Sequence, residues 1–173
     1  SHERGWSEQW EYREIIQLGA ANYKLTSTSF DLIGTIEIFV KPSKNKKLSE
    51  YITKLTGIND KILEKNGITF QEALEKFTSF TLGSKIIISN GLDGMVLREN
   101  CILNGLSYPF EKGRVVNVRP LLSKTTGIEY KKLVSSELPS LLGMRPPDSK
   151  HSALSDAKSV GIALKKLRDS NLI

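Results

Sequence analysis

Alternation of apolar and polar residues predicts a β-hairpin near the start of the chain. In the segment LIGTIEIFVKP, Ile36, Ile38 and Val40 occupy every second position, which predicts a strand that ends at Pro42. The preceding segment EIIQLGAANYKL carries a dense apolar group and predicts another strand. Because the two segments are close neighbours in sequence, we expect them to pair as an antiparallel hairpin. Residues 1–13 are polar and show no clear period, so we expect a loop there.

Helical and strand patterns then alternate along the rest of the chain. The segment LSEYITKLTGIND predicts a short helix that ends near Gly57, and TFQEALEKFTSF predicts a longer one, in which Thr69 and Glu72 have the spacing of a capping box. Two short apolar segments, SKIIISNG and GRVVNV, predict strands on either side of the helix DGMVLRENCILNG. From Pro120 onward the chain is predicted to be mostly helical. This order predicts a single α/β domain over residues 1–173, with helices flanking a central mixed sheet.

The last predicted helix carries a carboxylate at the edge of its apolar stripe. With residues 152–168 placed on a helix, Asp156 lies about 40° from Val160, at the margin of the buried side. A carboxylate in that position is costly unless a cation or hydrogen-bond donors satisfy it. His151 comes just before the helix, where a loop could direct its imidazole to the same place. The alternative is that Asp156 only complements the helix dipole and that His151 is a surface residue.

A second aspartate follows a predicted strand. Asp93 comes four residues after KIIIS and opens the next helix, and sites in α/β sheets cluster beyond the carboxyl ends of strands. The simpler interpretation is that Asp93 caps this helix. Two such aspartates and a histidine in one basic α/β domain favour a shared site for divalent cations, which prefer oxygen ligands.

Composition narrows the class of partner and the compartment. The net charge of +6 over 173 residues favours an anionic partner such as nucleic acid. A single cysteine, Cys101, excludes an internal disulfide framework and is typical of a reducing compartment, so we expect an intracellular, cytoplasmic protein. The longest aliphatic run is only Ile86 to Ile88, and no signal peptide is recognisable, so no membrane span is predicted.

Several segments resemble the DEDDh 3′–5′ exonucleases. HSALSDA resembles the third motif of that family, in which histidine and aspartate are separated by four residues, and IISNGLDGMVLRENC resembles the second motif around Asp93. REIIQLGAANY resembles the second strand of that fold, and KLTGIND is similar to the segment that holds the 3′ end of the substrate. TFQEALEKF and NVRPLLSKTTGI are similar to the branch of Eri-type and histone-mRNA 3′ exonucleases. The resemblance extends from about residue 14 to residue 168.

The resemblance implies a ribonuclease H-like fold and a two-metal reaction. The expected activity is hydrolysis of RNA or single-stranded DNA from its 3′ end, with two divalent ions, Mg²⁺ or Mn²⁺. By position in the motifs, Asp156 would bind the first ion and Asp93 the second, while His151 would be the general base on the attacking water.

The resemblance also implies contacts with the substrate. Leu55 would wedge against the terminal base, and Thr56 would contact the terminal nucleotide. Asn90 is a further candidate, but it stands one residue closer to Asp93 than the corresponding asparagine of many members, and Leu92 replaces their phenylalanine.

The first motif of the family, Asp-x-Glu on the central strand, does not occur in residues 1–13. We therefore expect that the sequence begins after that motif and lacks the first strand, and that activity is very low if the motif is absent altogether. Two alternatives to the exonuclease stay open. One is a catalytically impaired nuclease-like module that binds nucleic acid or a partner protein, and the other is a metal phosphoesterase for small molecules, in which KLTGI would have no role.

Overall fold

A computed structural model describes residues 12–45, 47–147 and 152–173. The described part contains four strands and seven α-helices that follow one another in mixed order. They are β1 Gln17–Leu25, β2 Phe30–Phe39, α1 Glu50–Thr56, α2 Asp60–Asn66, α3 Phe70–Phe80, β3 Ile87–Ser89, α4 Asp93–Leu103, β4 Val115–Asn117, α5 Arg119–Thr126, α6 Leu138–Leu141 and α7 Ala153–Asp169. Two short 3-10 turns, Tyr130–Lys132 and Ser135–Glu137, lie between α5 and α6.

Strands β1 and β2 form the predicted antiparallel hairpin. Their register extends from the pair Gln17–Phe39 to the pair Leu25–Phe30, with an irregularity at Asn22. The alternating apolar residues of β2 point into the core, where Ile38 is buried. The hairpin is therefore confirmed, and its strands begin and end within about three residues of the predicted bounds.

Strands β3 and β4 form a parallel pair that carries the second half of the sheet layer. Ile87 pairs with Val115 and Ser89 with Asn117, and α4 connects the two strands. Among the described residues β1 pairs only with β2, and β3 only with β4, so the predicted mixed sheet is present as two separate two-stranded sheets. The two halves stay apart because no described strand lies between β1 and β3. The upstream strand expected from the resemblance stays a prediction.

Local capping determines where the helices begin. Ser49 accepts a hydrogen bond from the backbone of Ile52 at the start of α1, and Thr69 and Glu72 form both bonds of the predicted capping box at α3. The sequence interpretation missed α2, which begins after Asn59, a residue whose side chain accepts from the backbone N–H of Ile62.

Two clusters of buried apolar residues support these elements. The first joins the hairpin, α3 and α4, and its members are Ile38, Val40, Phe70, Ala73, Leu74, Phe77, Leu97, Cys101 and Phe110. The second joins α5, α6 and α7, and its members are Val118, Leu122, Leu133, Leu138, Val160, Ala163, Leu164 and Leu167. No helix in the described ranges is long and apolar enough to cross a membrane.

Candidate active site

The first turn of α7 lies directly against strand β1. A Cβ built on Gly19 would lie 2.7 Å from the carbonyl oxygen of Ala153, and still closer to the carbonyl carbon of Ala153 and the backbone nitrogen of Leu154. The side chain of Gln17 accepts a hydrogen bond from the backbone N–H of Ala153 at 2.9 Å. Only glycine allows such an approach of two backbones, so Gly19 fixes where α7 begins.

This packing places Asp156 where the sequence predicted it. Ser152 caps α7 by accepting from the backbone N–H of Ser155 at 3.0 Å, and Asp156 follows in the first turn. The side chain of Asp156 is half-buried, and its Oδ1 atom is shielded from solvent. A shielded carboxylate oxygen is a suitable ligand for a hard cation, since the charge of the cation offsets the cost of burial.

Asp93 lies at the start of α4, just beyond the carboxyl end of β3. The N-cap position of this helix belongs to Leu92, which makes no side-chain cap bond, so the interpretation of Asp93 as the cap is wrong. The side chain of Asp93 is open to solvent on one side, where a cation can reach it. Desolvation by the surrounding protein atoms raises the pKa of the Asp93 carboxyl, while the charge of Arg119 and backbone hydrogen bonds at Asp93 and Asn90 act in the opposite direction.

A buried polar cluster holds the turn that precedes Asp93. Arg119 donates from Nε to Oδ1 of Asn90 at 3.2 Å and from Nη2 to the backbone carbonyl of Asn90. The amide nitrogen of Asn90 donates to the carbonyl of Leu133 at 2.9 Å and to the hydroxyl of Ser135 at 3.0 Å. Asn90 is only 4% exposed, and both polar atoms of its amide bind protein groups. It therefore positions the turn of Asp93, and this arrangement gives no support to the predicted contact between Asn90 and substrate.

Asn117 completes this cluster from the end of β4. Its Oδ1 accepts from the backbone N–H of Gly91 at 2.9 Å and from that of Arg119 at 3.0 Å. Gly91 has a φ of 134°, which disfavours any residue with a Cβ, and such a Cβ would lie 3.1 Å from Nη2 of Arg119. The turn from Asn90 to Asp93 is thus fixed by side chains from the neighbouring strand and from α5.

Leu55 and Thr56 lie at the end of α1. Leu55 is 41% exposed, which suits a side chain that contacts an unstacked base. The hydroxyl of Thr56 donates to the carbonyl of Ile52 at 2.8 Å and accepts from the backbone N–H of Ile58 at 3.1 Å, so it closes the helix end. Their predicted roles in substrate binding stay predictions.

His151 lies outside the described residues. In the described ranges, no group of three or more histidine, cysteine, aspartate or glutamate side chains could hold a metal ion. Asp156 is positioned by β1 and Asp93 by β3, the two strands that belong to separate sheets. The convergence of Asp93, His151 and Asp156 on one pocket therefore stays a prediction.

Sequence reasoning missed two residues that position the site. Gly19 interrupts an apolar strand, and an isolated glycine in a strand is a signal of close backbone approach. Arg119 follows the strand GRVVNV and precedes Pro120, which marks the first turn of a helix. Both signals were present in the sequence, but neither indicates which segment lies opposite.

The arrangement of strands and helices is that of the DEDDh nucleases. The nuclease domain of 3′hExo, a DEDDh family member whose crystal structure was determined bound to rAMP, superimposes with a TM-score of 0.71 at 18% sequence identity over 91% of this chain and 94% of that one. A 3′-exonuclease whose structure concerns recognition of the 3′ end of the histone mRNA stem-loop gives a TM-score of 0.73 at 17% identity, over 91% of this chain and 83% of that one. The predicted ribonuclease H-like fold is confirmed.

Sequence comparison gives the family directly. The RNase T exonuclease family matches residues 7–163, so this chain belongs to that family of exonucleases, and the predicted 3′–5′ exonuclease class is confirmed. The 3′-5′ exoribonuclease 1 of Rattus norvegicus is 27% identical over 154 residues, which are 84% of this chain and 45% of that protein. The chain thus spans less than half the length of this relative.

Proposed function

We propose that the protein removes nucleotides one at a time from the 3′ end of RNA, in a reaction that depends on Mg²⁺ or Mn²⁺. The observation that carries the proposal is the position of Asp93 and Asp156 in the exonuclease domain. Each carboxylate begins a helix, and each helix is fixed to a different strand by close contacts, through Gly19 for α7 and the Asn90 turn for α4. A site built on such rigid elements holds ligands in constant positions.

The two aspartates fit divalent cations chemically. Both present carboxylate oxygens, the ligands that Mg²⁺ and Mn²⁺ prefer, and one oxygen of Asp156 is shielded from solvent. The raised pKa of Asp93 shows that its charge is poorly solvated in the metal-free protein, and a bound cation would offset this. When bound, two such ions neutralise charge on the phosphate and lower the pKa of a water molecule.

The remaining roles belong to side chains around the 3′ end. His151 would accept a proton from the attacking water, whose oxygen bonds to the phosphorus as the bond to the 3′ oxygen of the preceding nucleotide breaks. The products would be a nucleoside monophosphate and a chain shortened by one residue with a free 3′ hydroxyl. Leu55, which is exposed, would lie against the terminal base, and the backbone near Thr56 would contact the terminal sugar.

RNA is the substrate that the similarities favour. The rat relative is an exoribonuclease, and the structural neighbour described above binds an RNA stem-loop. The net charge of +6 suits a polyanion but does not distinguish RNA from DNA. We further propose an intracellular, cytoplasmic location, supported by the buried free thiol of Cys101.

A time course on 5′-labelled RNA and single-stranded DNA tests the function. The protein with Mg²⁺ or Mn²⁺ should convert RNA into a ladder that shortens by one nucleotide per step, and chelator should stop the reaction until Mg²⁺ is restored. Asp156→Ala and His151→Ala should each abolish most cleavage. Asp169→Ala is the matched control, because Asp169 is exposed at the opposite end of α7.

The outcomes separate the proposal from its alternative. Activity that survives thorough chelation, or near-normal rates in Asp156→Ala or His151→Ala, would refute the assignment. RNA binding without any cleavage by the unaltered protein would instead indicate the catalytically impaired nuclease-like module.

A further inference from the structure

A groove of about 510 Å³ lies between the hairpin and α7, away from the aspartates. Its walls are Tyr23, Phe30 and Leu32 of the hairpin, Lys158, Ile162 and Lys165 of α7, and the segment 145–147 before the last helix. We call it the basic groove. Its volume is in the range of ligand sites rather than of packing defects.

Two aromatic rings form the hairpin side of the basic groove. The ring centroids of Tyr23 and Phe30 are 5.0 Å apart, with an angle of 36° between the ring planes. The ring of Tyr23 packs directly onto Gly161, where any Cβ would overlap it, so the ring is held in place by α7. Leu32, beside them, is 48% exposed. Fixed rings with an apolar neighbour at the surface are the usual platform on which nucleic-acid bases stack.

The opposite side of the basic groove is positively charged. Arg145, Lys158 and Lys165 line it, and no carboxylate does so among the described residues. The Nζ atom of Lys165 lies 3.4 Å from the carbonyl of Phe30 and 3.9 Å from Oδ2 of Asp169, an exposed ion pair that leaves the local charge positive. Three cations beside an aromatic platform match a strand with bases on one side and phosphates on the other.

The basic groove is separate from the candidate active site. At 100° per residue, Lys158, Ile162 and Lys165 lie roughly 180–240° around the axis of α7 from Asp156. Lys165 is also about 14 Å further along this axis, at 1.5 Å per residue. A nucleotide bound at Asp156 therefore cannot touch the basic groove, but a longer strand can reach around the helix.

We propose that the basic groove binds the single-stranded part of the substrate several nucleotides upstream of the 3′ end. The proposal rests on the proposed function, because it assigns the groove to the same substrate strand. Tyr23 and Phe30 stack against bases, while Arg145, Lys158 and Lys165 contact phosphates. The groove thereby adds affinity for long strands that a terminal dinucleotide does not gain.

The test compares Lys158→Gln/Lys165→Gln with the control Lys76→Gln/Lys166→Gln, which removes the same charge from exposed lysines outside the groove. Binding of fluorescent single-stranded RNAs of 3, 6, 12 and 20 nucleotides is measured in EDTA over a range of salt concentrations. Each lost phosphate contact lowers the salt slope for a single strand by about 0.7, so the groove variant should lose about 1.4 from its slope and on the order of 10-fold in affinity for the 20-mer at 0.1 M salt. Its affinity for the 3-mer should change less than about 2-fold.

Three results would overturn the proposal. They are an equal loss in the control variant, an unchanged 20-mer affinity in the groove variant, and a loss confined to duplex RNA, which would indicate a different partner. Turnover of a dinucleotide by the unaltered protein is measured in parallel with Mg²⁺. Because the binding assay contains no metal, absent turnover with a groove-dependent 20-mer affinity refutes the proposed function and supports the groove.

Discussion

Replacement of Gly19 by alanine is expected to displace α7 and with it Asp156. The added Cβ would lie 2.7 Å or less from three backbone atoms of residues 153–154, whereas ordinary contact begins near 3.4 Å. Neither backbone can rotate away as a side chain would, because β1 is held by β2 and Ala153 is bound to Gln17. The first turn of α7 must therefore move by about 1 Å.

The magnitude follows from that displacement. Overpacking of this kind costs about 1–3 kcal/mol in the free energy of unfolding. A misplacement of about 1 Å in a catalytic group lowers the rate by on the order of 100-fold. We therefore expect Gly19→Ala to fold with reduced stability, measured by urea unfolding, and to lose far more activity on labelled RNA than its stability loss explains at a temperature where it is fully folded.

Gly34→Ala is the matched control on the neighbouring strand. There the new Cβ would lie 3.6 Å from the ring of Phe80, an ordinary contact. Its stability should remain within about 1 kcal/mol of the unaltered protein, with unchanged turnover. If Gly19→Ala and Gly34→Ala behave alike in both assays, the close approach of α7 to β1 does not position Asp156 and the reasoning fails.

Three further predictions concern Asp93, its supporting turn and the start of β1. Because desolvation raises the pKa of Asp93, the ionised form destabilises the metal-free fold at pH 7; Asp93→Asn should raise the melting temperature in EDTA, and the gain should shrink as the pH falls towards the ordinary value of 3.8, so a lower melting temperature at pH 7 would contradict it. Arg119→Gln should weaken Mn²⁺ binding by about 10–100-fold, measured by the Mn²⁺ concentration needed to raise the melting temperature, while Arg98→Gln should leave it unchanged; equal midpoints would exclude a positioning role. Asn100→Leu should cost at least about 1–3 kcal/mol in urea unfolding, because it leaves backbone groups of residues 13–15 without their amide partner; an unchanged midpoint would show that this contact is dispensable.

The elements that the sequence predicted well are those that local patterns determine. The hairpin follows from the alternation at Ile36 and Ile38, and α3 follows from the capping box of Thr69 with Glu72, both of which act over a few residues. The placement of Asp156 at the margin of its helix also depends only on helical geometry. Local patterning thus sufficed for the fold class and for one of the two aspartates in its local setting.

The remaining features depend on contacts between distant segments. Gly19 lies against Ala153, and Arg119 binds Asn90, and no pattern within either segment specifies these partners. Asn90 illustrates the consequence: its position near Asp93 suggested substrate binding, whereas its amide is occupied by the carbonyl of Leu133 and by Arg119. The basic groove was missed for the same reason, since its cations and rings come from three separate segments.

Crystals of the protein grown with Mn²⁺ and a nucleoside monophosphate, with data collected at the manganese absorption edge, test the central claim most directly. The account predicts anomalous peaks bonded to carboxylate oxygens of Asp93 and Asp156, within about 2.0–2.6 Å, beside the bound phosphate. Manganese peaks found only elsewhere, with both aspartates free of metal at saturating Mn²⁺, would contradict it.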